Sequence, residues 1–319
     1  MPQQVNVYKK LVMKPGAIVE GSWNGSFDTG GTTYYVNNIT GSTTADGLSW
    51  NSAVSQVSRA ITLSEASRLV HQGTTTNDYV RNKIVVQGTG TAYTKLTAMG
   101  LYVDLIGLGA DPRGNGAGIA RIGSDTVAES GVVLTATVRG LNVYNIQFQA
   151  GINSYCWQHA SMYRSRFENC TFMTNGAATG NPTGAFRSTT AMGGVVMDDC
   201  LIGGSNCSID TEPDTGMIIA GTHFHTSTVK NCQIYGLAGV TVASTVIASW
   251  GSMFKNVVFG DGSQTMAICV NDDSTGAGAH ILYCGCYAMA SGQAFDIETN
   301  GTKRVIGCYE INNFVAAST

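Results

Sequence analysis

Residues 167–172, FENCTF, carry a pattern that recurs through the second half of the chain: apolar, any, Asn-like, Cys or aliphatic, any, apolar. The copies are VYNIQF (143–148), FENCTF (167–172), MDDCLI (197–202), VKNCQI (229–234), FKNVVF (254–259), ILYCGC (281–286) and VIGCYE (305–310). Their fourth positions are spaced by 24, 30, 32, 25, 27 and 24 residues, at Ile146, Cys170, Cys200, Cys232, Val257, Cys284 and Cys308. A segment repeated at intervals of about 20–50 residues is typical of a solenoid.

The third position explains how both ends of a copy can face one core. Positions four and six share a strand face, whereas positions one and four fall on opposite faces of an uninterrupted strand. Asn or Asp stands at the third position in five copies, at Asn145, Asn169, Asp199, Asn231 and Asn256. Because these residue types tolerate left-handed backbone angles, one of them can bend the chain so that both flanking strands point inward. The pattern therefore predicts the coils of a parallel β-helix, with the cysteines as a buried ladder.

Two other folds compete for the pattern. Leucine-rich repeats have a similar period, but their strict Leu/Asn framework is missing and their intervals are more constant. A β-sandwich gives no reason for cysteine to recur beside asparagine. The nine cysteines form an odd set without a CxxC pair, which favours free buried thiols over a disulfide framework.

Composition limits the classes of partner. Lys and Arg total 18 against 21 Asp and Glu, so neither a basic nucleic-acid surface nor an acidic tail is visible. No window reaches the roughly 18 apolar residues of a membrane span, and the start, MPQQVNVYKKLVMKPGAIVEG, lacks the apolar core of a signal peptide. We expect a soluble protein synthesised in the cytoplasm, without nucleic-acid or membrane partners.

The first half of the chain is predicted to form a helix followed by short strands. Aliphatic runs around Ile84–Val86, Leu101–Ile106 and Ile119–Ile122 are divided by glycines and would form the first coils. Ahead of them, one helical stripe is predicted, with Asn51 as its cap, from the spacing of Ala53, Val54, Val57, Ala60 and Ile61. Thr62 and Glu65 then form a capping-box pattern, and an apolar face continues through Leu63, Ala66, Leu69 and Val70, which predicts one bent helix or two short ones.

The opening supports a resemblance. An extended YYV (34–36), the turn DGLSW (46–50), the helix, IVVQGTGTAYTKL (84–96) and LIGLGADP (105–112) follow one another. With the coils, the chain resembles right-handed parallel β-helix proteins of the pectate-lyase-like superfamily, especially those encoded by bacteriophages, over about residues 33–310. This resemblance implies an all-β solenoid with a short N-terminal helical cap. It does not specify a function, because the fold hosts lyases, hydrolases, esterases and inert virion proteins.

Three regions are predicted. Residues 31–72 form an extended strand plus the helical cap, and residues 73–319 form the β-helix. Residues 1–30 lie outside the resemblance and form an N-terminal arm, either a disordered terminus or an anchor that orders on a partner. The anchor candidates are Tyr8, Lys9, Lys10 and Leu11.

The repeat alignment suggests one acidic cluster. Glu168 lies one coil from Asp198, and Asp199 adjoins it at the corner, so these are the catalytic candidates if the protein is a glycoside hydrolase or polysaccharide lyase. Lys230 and Lys255 follow in the same column and could pair with the acids in a solvated charge ladder. Of the residue sets of polygalacturonases only an Asp-Asp is found, and the pectate-lyase signatures are not recognisable. We therefore expect no catalytic residues.

Other candidate sites are weaker. His223 and His225 share a strand face but lack a third ligand nearby, so no metal is expected. The glycine-rich LGADPRGNGAG (108–118) lacks the lysine of a phosphate-binding loop, so no cofactor is expected either. Tyr155, Trp157, His159 and Tyr163 would suit sugar stacking, a subunit contact or core packing.

The resemblance and the missing catalytic sets predict a structural virion protein of a phage. This would be a capsid decoration protein or a short head spike, trimeric by analogy and anchored to other virion proteins by its arm. The alternative is a tailspike that binds or depolymerises bacterial surface polysaccharide. A free-standing pectate-lyase-like enzyme is the third possibility, although it would need export.

Overall fold

The computed structural model describes residues 31–72, 80–114, 116–124, 130–151, 154–174, 184–203, 215–260, 266–275, 280–290, 292, 294–297 and 304–312. The predicted anchor residues Tyr8, Lys9, Lys10 and Leu11 lie outside the described residues, as does Cys207.

The described residues are mostly strands. A short 3-10 turn, Trp50–Ser52, precedes the helix α1, Val57–Gln72. In the first half of the chain the strands are β1 (Thr33–Val36), β2 (Asn82–Gln87), β3 (Val103–Leu108), β4 (Arg121–Gly123), β5 (Val132–Leu134), β6 (Val138–Arg139), β7 (Asn142–Tyr144), β8 (Gln147–Ala150) and β9 (Tyr155–Tyr163). The middle strands are β10 (Arg166–Glu168), β11 (Thr171–Thr174), β12 (Gly184–Gly193), β13 (Val196–Asp198), β14 (Leu201–Gly203), β15 (Thr215–Ile219), β16 (His223–His225), β17 (Thr228–Lys230) and β18 (Gln233–Ile234). The last are β19 (Ala238–Val242), β20 (Ser252–Lys255), β21 (Val258–Phe259), β22 (Ile268–Asp272), β23 (Ile281–Cys284), β24 (Tyr287–Ala290), β25 (Phe295–Ile297), β26 (Arg304–Ile306) and β27 (Tyr309–Asn312).

Three parallel sheets run along the molecule. Sheet A has the order β1-β2-β3-β7-β10-β13-β17-β20-β23-β26, sheet B the order β27-β24-β21-β18-β14-β11-β8-β4, and sheet C the order β25-β22-β19-β15-β12-β9-β5. β16 also pairs with β12, and β6 with β9. From β7 onward each coil contributes a strand to each sheet in turn. The predicted fold class, a right-handed parallel β-helix with a helical cap, is therefore confirmed.

The corners between sheets A and B have the predicted backbone. The residues at these corners have φ between 48° and 63°, and they are Asn145, Asn169, Asp199, Asn231, Asn256, Gly285 and Gly307. Their amides form a partial ladder, because Nδ2 of Asn169 donates to Oδ1 of Asn145 at 3.0 Å and Nδ2 of Asn256 donates to Oδ1 of Asn231 at 3.4 Å. The bend predicted at the third position of the repeat is therefore made by a column of residues in left-handed backbone.

The sixth copy of the repeat begins two residues later than the sequence pattern predicts. Gly285 holds the left-handed corner, and Tyr283 pairs in register with Phe254 and Val305. Tyr283 is therefore the first position and Cys286 the fourth. The error arose because Ile281 also points inward, so an apolar residue two positions upstream satisfied the same pattern.

The cysteine ladder lies inside the coils. Cys170, Cys200, Cys232 and Cys286 are buried. None of the eight described cysteines forms a disulfide. Each ladder thiol lies near the carbonyl two residues before it, for example 3.4 Å from Sγ of Cys170 to O of Glu168 and 3.1 Å from Sγ of Cys232 to O of Lys230. Burial raises the pKa of the Cys170 thiol well above its usual value, which favours the unreactive protonated form.

Large side chains stack from coil to coil in the core. Phe148 lies over Phe172 with ring centroids 5.4 Å apart, and Phe254 lies over Tyr283 at 5.2 Å. Full burial of one such side chain contributes about 1.5–3 kcal/mol. The stack continues to the last described coil, where Val305 occupies the inward column but is 44% exposed.

The helix closes the other end of this core. Val57, Ala60 and Ile61 are buried against Tyr34 and Ile84 of the first coils, as the apolar stripe predicts. The helix begins later than predicted, since Ala53 and Val54 are extended and Val54 bridges to Val36. Ser49, not Asn51, caps the 3-10 turn.

The predicted second segment of the cap is one continuous helix without a capping box. Oγ1 of Thr62 instead donates to O of Ser58 at 3.1 Å, and Glu65 forms an ion pair with Arg68. The later part of α1 buries Ser64 and Arg68, whereas Leu69 is 39% exposed. Nδ2 of Asn82 donates to O of Ser64 at 2.8 Å, so a polar contact replaces the expected apolar one. No described helix is long and apolar enough to cross a bilayer.

Candidate functional site

A second column of left-handed residues runs along the edge where sheet C passes into sheet A. It lies three residues before the first position of six successive coils. Its members have φ between 49° and 72°, and they are Tyr102, Gly140, Arg164, Gly194, Thr226 and Gly251. The residues immediately before most of these corners stack in register on successive coils and point outward, and they are Arg139, Tyr163, Gly193, His225 and Trp250.

Three members of the corner column carry a conformational cost. Tyr102, Arg164 and Thr226 adopt left-handed angles, which cost about 1–2 kcal/mol for a residue other than glycine. A β-branched residue such as Thr226 is a particular outlier there. Glycine holds the same corner on three other coils without that cost. Large or branched side chains in left-handed backbone are typical of functional sites, which makes Tyr102, Arg164 and Thr226 candidates for a role outside folding.

These side chains line one groove of about 410 Å³, which we call the aromatic groove. It is lined by Tyr102, Arg139, Tyr163, Arg164, Gly193, Gly194, His225, Thr226 and Trp250. The groove crosses six coils, which at the ordinary strand spacing of about 4.8 Å corresponds to roughly 24 Å between the outermost coils. Such a length suits several units of a polymer.

Aromatic rings form the walls of the groove. The ring of His225 stacks on Trp250 with centroids 5.0 Å apart and an interplanar angle of 6°, and the indole is 52% exposed. Rings also lean over the glycines of the column. A methyl group on Gly193 would lie 2.6 Å from Cε1 of His225 and 3.0 Å from Cδ1 of Tyr163. Glycine at 193 is therefore needed for these two rings to approach each other.

Two guanidinium groups supply the charge of the groove. The guanidinium carbon of Arg139 lies 5.9 Å from the centroid of the Tyr163 ring, and Arg164 is exposed at the corner of the same coil as Tyr163. Neither forms an ion pair with any described residue, and no carboxylate is among the described lining residues. The groove can therefore accept an anionic group between aromatic faces.

The predicted acidic cluster lies on the opposite edge of sheet A. Glu168 and Asp198 are in-register neighbours, as the repeat alignment predicts, and Asp199 is exposed at the corner. From Glu168 to the corner at Arg164 is four residues, or about 13 Å of extended chain. The cluster and the aromatic groove thus flank one face of the β-helix without sharing side chains.

Each of the three carboxylates forms an ion pair with a basic side chain. Nε of Arg166 donates to Oε2 of Glu168 at 2.9 Å, and Nζ of Lys230 lies 2.9 Å from Oδ2 of Asp198. Arg113, from the glycine-rich segment, pairs with Asp199. Lys255 pairs in register with Lys230 but forms no ion pair with these acids. The expected charge ladder is thus present for Lys230 and not for Lys255.

The ion pairs also set the protonation of Asp198. Burial alone would raise its pKa, but hydrogen bonds from Lys230 and Asn231 and the charges of Lys230 and Arg166 outweigh burial, so the pKa is lowered. A carboxyl group with a lowered pKa is ionised near neutral pH and is a poor general acid. The geometry of this cluster therefore favours a structural charge network.

The remaining sequence candidates separate into core and surface. Trp157 and His159 are fully buried, with Nε1 of Trp157 3.2 Å from Nδ1 of His159, whereas Tyr163 belongs to the aromatic groove. The rings of His223 and His225 are 6.1 Å apart, and the described residues contain no group of three or more potential metal ligands. The sequence analysis missed Trp250, Arg139 and Arg164, although glycines three residues before three of the copies mark their column.

The comparisons with known proteins found one similar structure. Neither a protein-family model nor a curated protein sequence matches the chain. One solved structure, a rhamnogalacturonan lyase, is similar with a TM-score of 0.40 and 10% sequence identity. The match covers 82% of this chain and 75% of that one.

Proposed function

We propose that the protein binds an anionic polysaccharide along the aromatic groove. The observation that supports this most directly is the combination of an open row of aromatic side chains with two arginines that have no acidic partner among the described residues. Aromatic rings offer flat apolar faces to sugar rings, and guanidinium groups bind carboxylates or sulfates in a bidentate manner. This corresponds to the tailspike alternative of the sequence analysis, restricted to binding.

Single-stranded nucleic acid also binds to aromatic and basic grooves. It is the weaker candidate here because the chain has a formal net charge of −3, and the described groove holds two arginines where a nucleic-acid surface presents a basic stripe. A polysaccharide with spaced acidic groups requires fewer cations. Competition by a single-stranded oligonucleotide would separate these two ligand classes.

Binding is favoured over cleavage at the described residues. The carboxylates that could serve a hydrolase are held by Arg113, Arg166 and Lys230, and they lie on the other edge of sheet A. We therefore expect no release of reducing ends or unsaturated products from bound polysaccharide. Turnover that is lost in Asp198→Asn would contradict this expectation and restore the depolymerase alternative.

The capsid-decoration function, the trimer and the anchoring arm remain predictions. They rest on the resemblance of the sequence to phage β-helix proteins, and the described residues carry no observation that bears on a capsid, a partner subunit or residues 1–30. A glycan-binding groove on the side of a β-helix is compatible with a tail location. Imaging of the protein on a particle would decide between head and tail.

The binding test uses immobilised acidic and neutral bacterial polysaccharides as an array. The unmodified protein should be retained by at least one acidic polysaccharide, and Trp250→Ala and Arg164→Ala should each weaken retention at least about tenfold, as expected for loss of about 1.4 kcal/mol. The matched controls are Tyr309→Ala, an aromatic residue 60% exposed at the last coil, and Lys255→Ala. Equal loss in the controls, or no retention on any acidic polysaccharide, would overturn the proposal.

A further inference from the structure

The aromatic groove contains one group that can change charge near neutral pH. His225 is half-buried between the neighbouring coils, with its ring stacked on Trp250 and leaning over Gly193 toward Tyr163. Arg164 lines the same groove from the preceding coils. An imidazolium at this position would be a third positive charge beside the two arginines.

We propose that His225 acts as a specificity-determining residue whose protonation strengthens the binding of anionic polysaccharide, so that the groove binds its ligand more tightly in mild acid. The inference rests on the proposed function, since it requires an anionic ligand in the groove. It goes further by naming the side chain that makes recognition depend on pH and on ligand charge.

The surroundings of His225 determine the direction of the effect. Among the described residues, the titratable and charged groups near it are His223 on its own strand and, lining the same groove from preceding coils, Tyr102, Arg139, Tyr163 and Arg164. Trp250 stacks on it from the following coil. Burial and the nearby His223 lower the pKa of His225 below the usual 6.5. No described lining residue is acidic, so the free groove favours the neutral imidazole.

An anionic ligand reverses this preference. The negative charge of the ligand stabilises the protonated imidazolium, so the pKa of His225 is higher in the complex than in the free protein. Because the complex then binds more protons than the free protein, affinity must rise as pH falls through the titration of His225. The Trp250 stack also persists, since an imidazolium over an indole face is a favourable cation–π pair.

The test measures binding of two forms of one polymer between pH 7.5 and 5.5. Polygalacturonate carries a carboxylate on each sugar and stays ionised across this range, whereas its fully methyl-esterified form is neutral. We expect the affinity of the unmodified protein for polygalacturonate to rise roughly fivefold as pH falls, the upper effect of one added charge at a half-exposed site. Affinity for the methyl ester should not change with pH.

Two variants identify the responsible group. His225→Phe keeps a ring against Trp250 but cannot be protonated, so it should bind at the level seen at pH 7.5 and lose the pH dependence. His223→Gln removes a charge that opposes protonation of His225 and should move the rise in affinity to higher pH. A change in folding is monitored by the urea midpoint of each variant.

The outcomes distinguish this inference from the proposed function. Binding of polygalacturonate that does not depend on pH, or a pH dependence that persists in His225→Phe, overturns the role of His225 and leaves the groove as a binding site. Failure of the unmodified protein to bind polygalacturonate at any pH overturns the role of His225, and failure to bind any acidic polysaccharide of the array as well overturns both.

Discussion

Thr226 provides the sharpest test of the idea that the groove is retained at the expense of stability. Its φ of 49° costs about 1–2 kcal/mol relative to a residue without a Cβ. Replacement by glycine removes that cost but adds freedom to the unfolded chain, which takes back about 0.4–1 kcal/mol. It also removes the exposed hydrogen bond that Oγ1 of Thr226 donates to O of His225 at 2.8 Å, at a net loss of about 0.5 kcal/mol. Thr226→Gly should therefore leave the free energy of unfolding unchanged or raise it by up to about 0.5 kcal/mol.

The chain offers a matched control two residues later. Thr228 lies in β17 with ordinary strand geometry and is half-buried, so Thr228→Gly should lower the free energy of unfolding by about 0.5–1 kcal/mol. Urea unfolding followed by tryptophan fluorescence would measure both variants, with the slope checked for a common unfolded state. Polysaccharide retention by Thr226→Gly should weaken in the same preparations. A fall in stability equal to that of Thr228→Gly would refute the reasoning.

Three further predictions concern the core, a corner and the groove. Burial lowers the pKa of His159 to about 3, so the folded state binds fewer protons than the unfolded state below pH 6.5. Acidification from pH 7 to 5 should therefore lower the free energy of unfolding by about 2 kcal/mol. Urea titrations should show that His159→Gln loses this part of the pH dependence. Asn169→Ala loses a left-handed residue and its hydrogen bond to Asn145 and should lower the free energy of unfolding by about 1–2 kcal/mol, whereas Asn169→Gly should lose less; equal losses would contradict the role of the corner. Gly193→Ala brings a Cβ within 2.6 Å of His225 and should weaken polysaccharide retention while leaving the urea midpoint nearly unchanged, and undiminished retention would show that the approach of the two rings does not matter.

The sequence was sufficient for the fold because its signal is local and repeated. Two apolar positions three residues apart can face one core if the Asn or Asp between them adopts left-handed backbone angles. Seven copies of this pattern make the repeat recognisable although the intervals between them differ. The predicted register of the sixth copy is wrong because Ile281 is a second apolar residue on the same face. The predicted start of the helix is wrong for a different reason: Ala53 and Val54 have helical spacing in the sequence but lie in extended backbone.

The groove was much harder to predict than the coils. Its side chains lie outside the apolar pattern, and each coil contributes a different residue type to the column. Tyr163 drew attention only as one of a cluster that also included the buried Trp157 and His159. The repeat pattern places Glu168 beside Asp198, as the structure does. It gives no sign of the ion pair between Asp199 and Arg113, which are 86 residues apart in the sequence.

The two left-handed columns that bound sheet A also decide where evolution can change the length of this chain. Between them lie strands of three or four residues on most coils, and one inserted residue there would turn inward side chains outward. The intervals between repeats vary instead outside these strands, in the connections from sheet B to sheet C and, by fewer residues, along sheet C up to the second column. Insertions and deletions should therefore collect there among related sequences, while sheet A keeps a constant length per coil and gains or loses strands only by whole-coil duplication or loss.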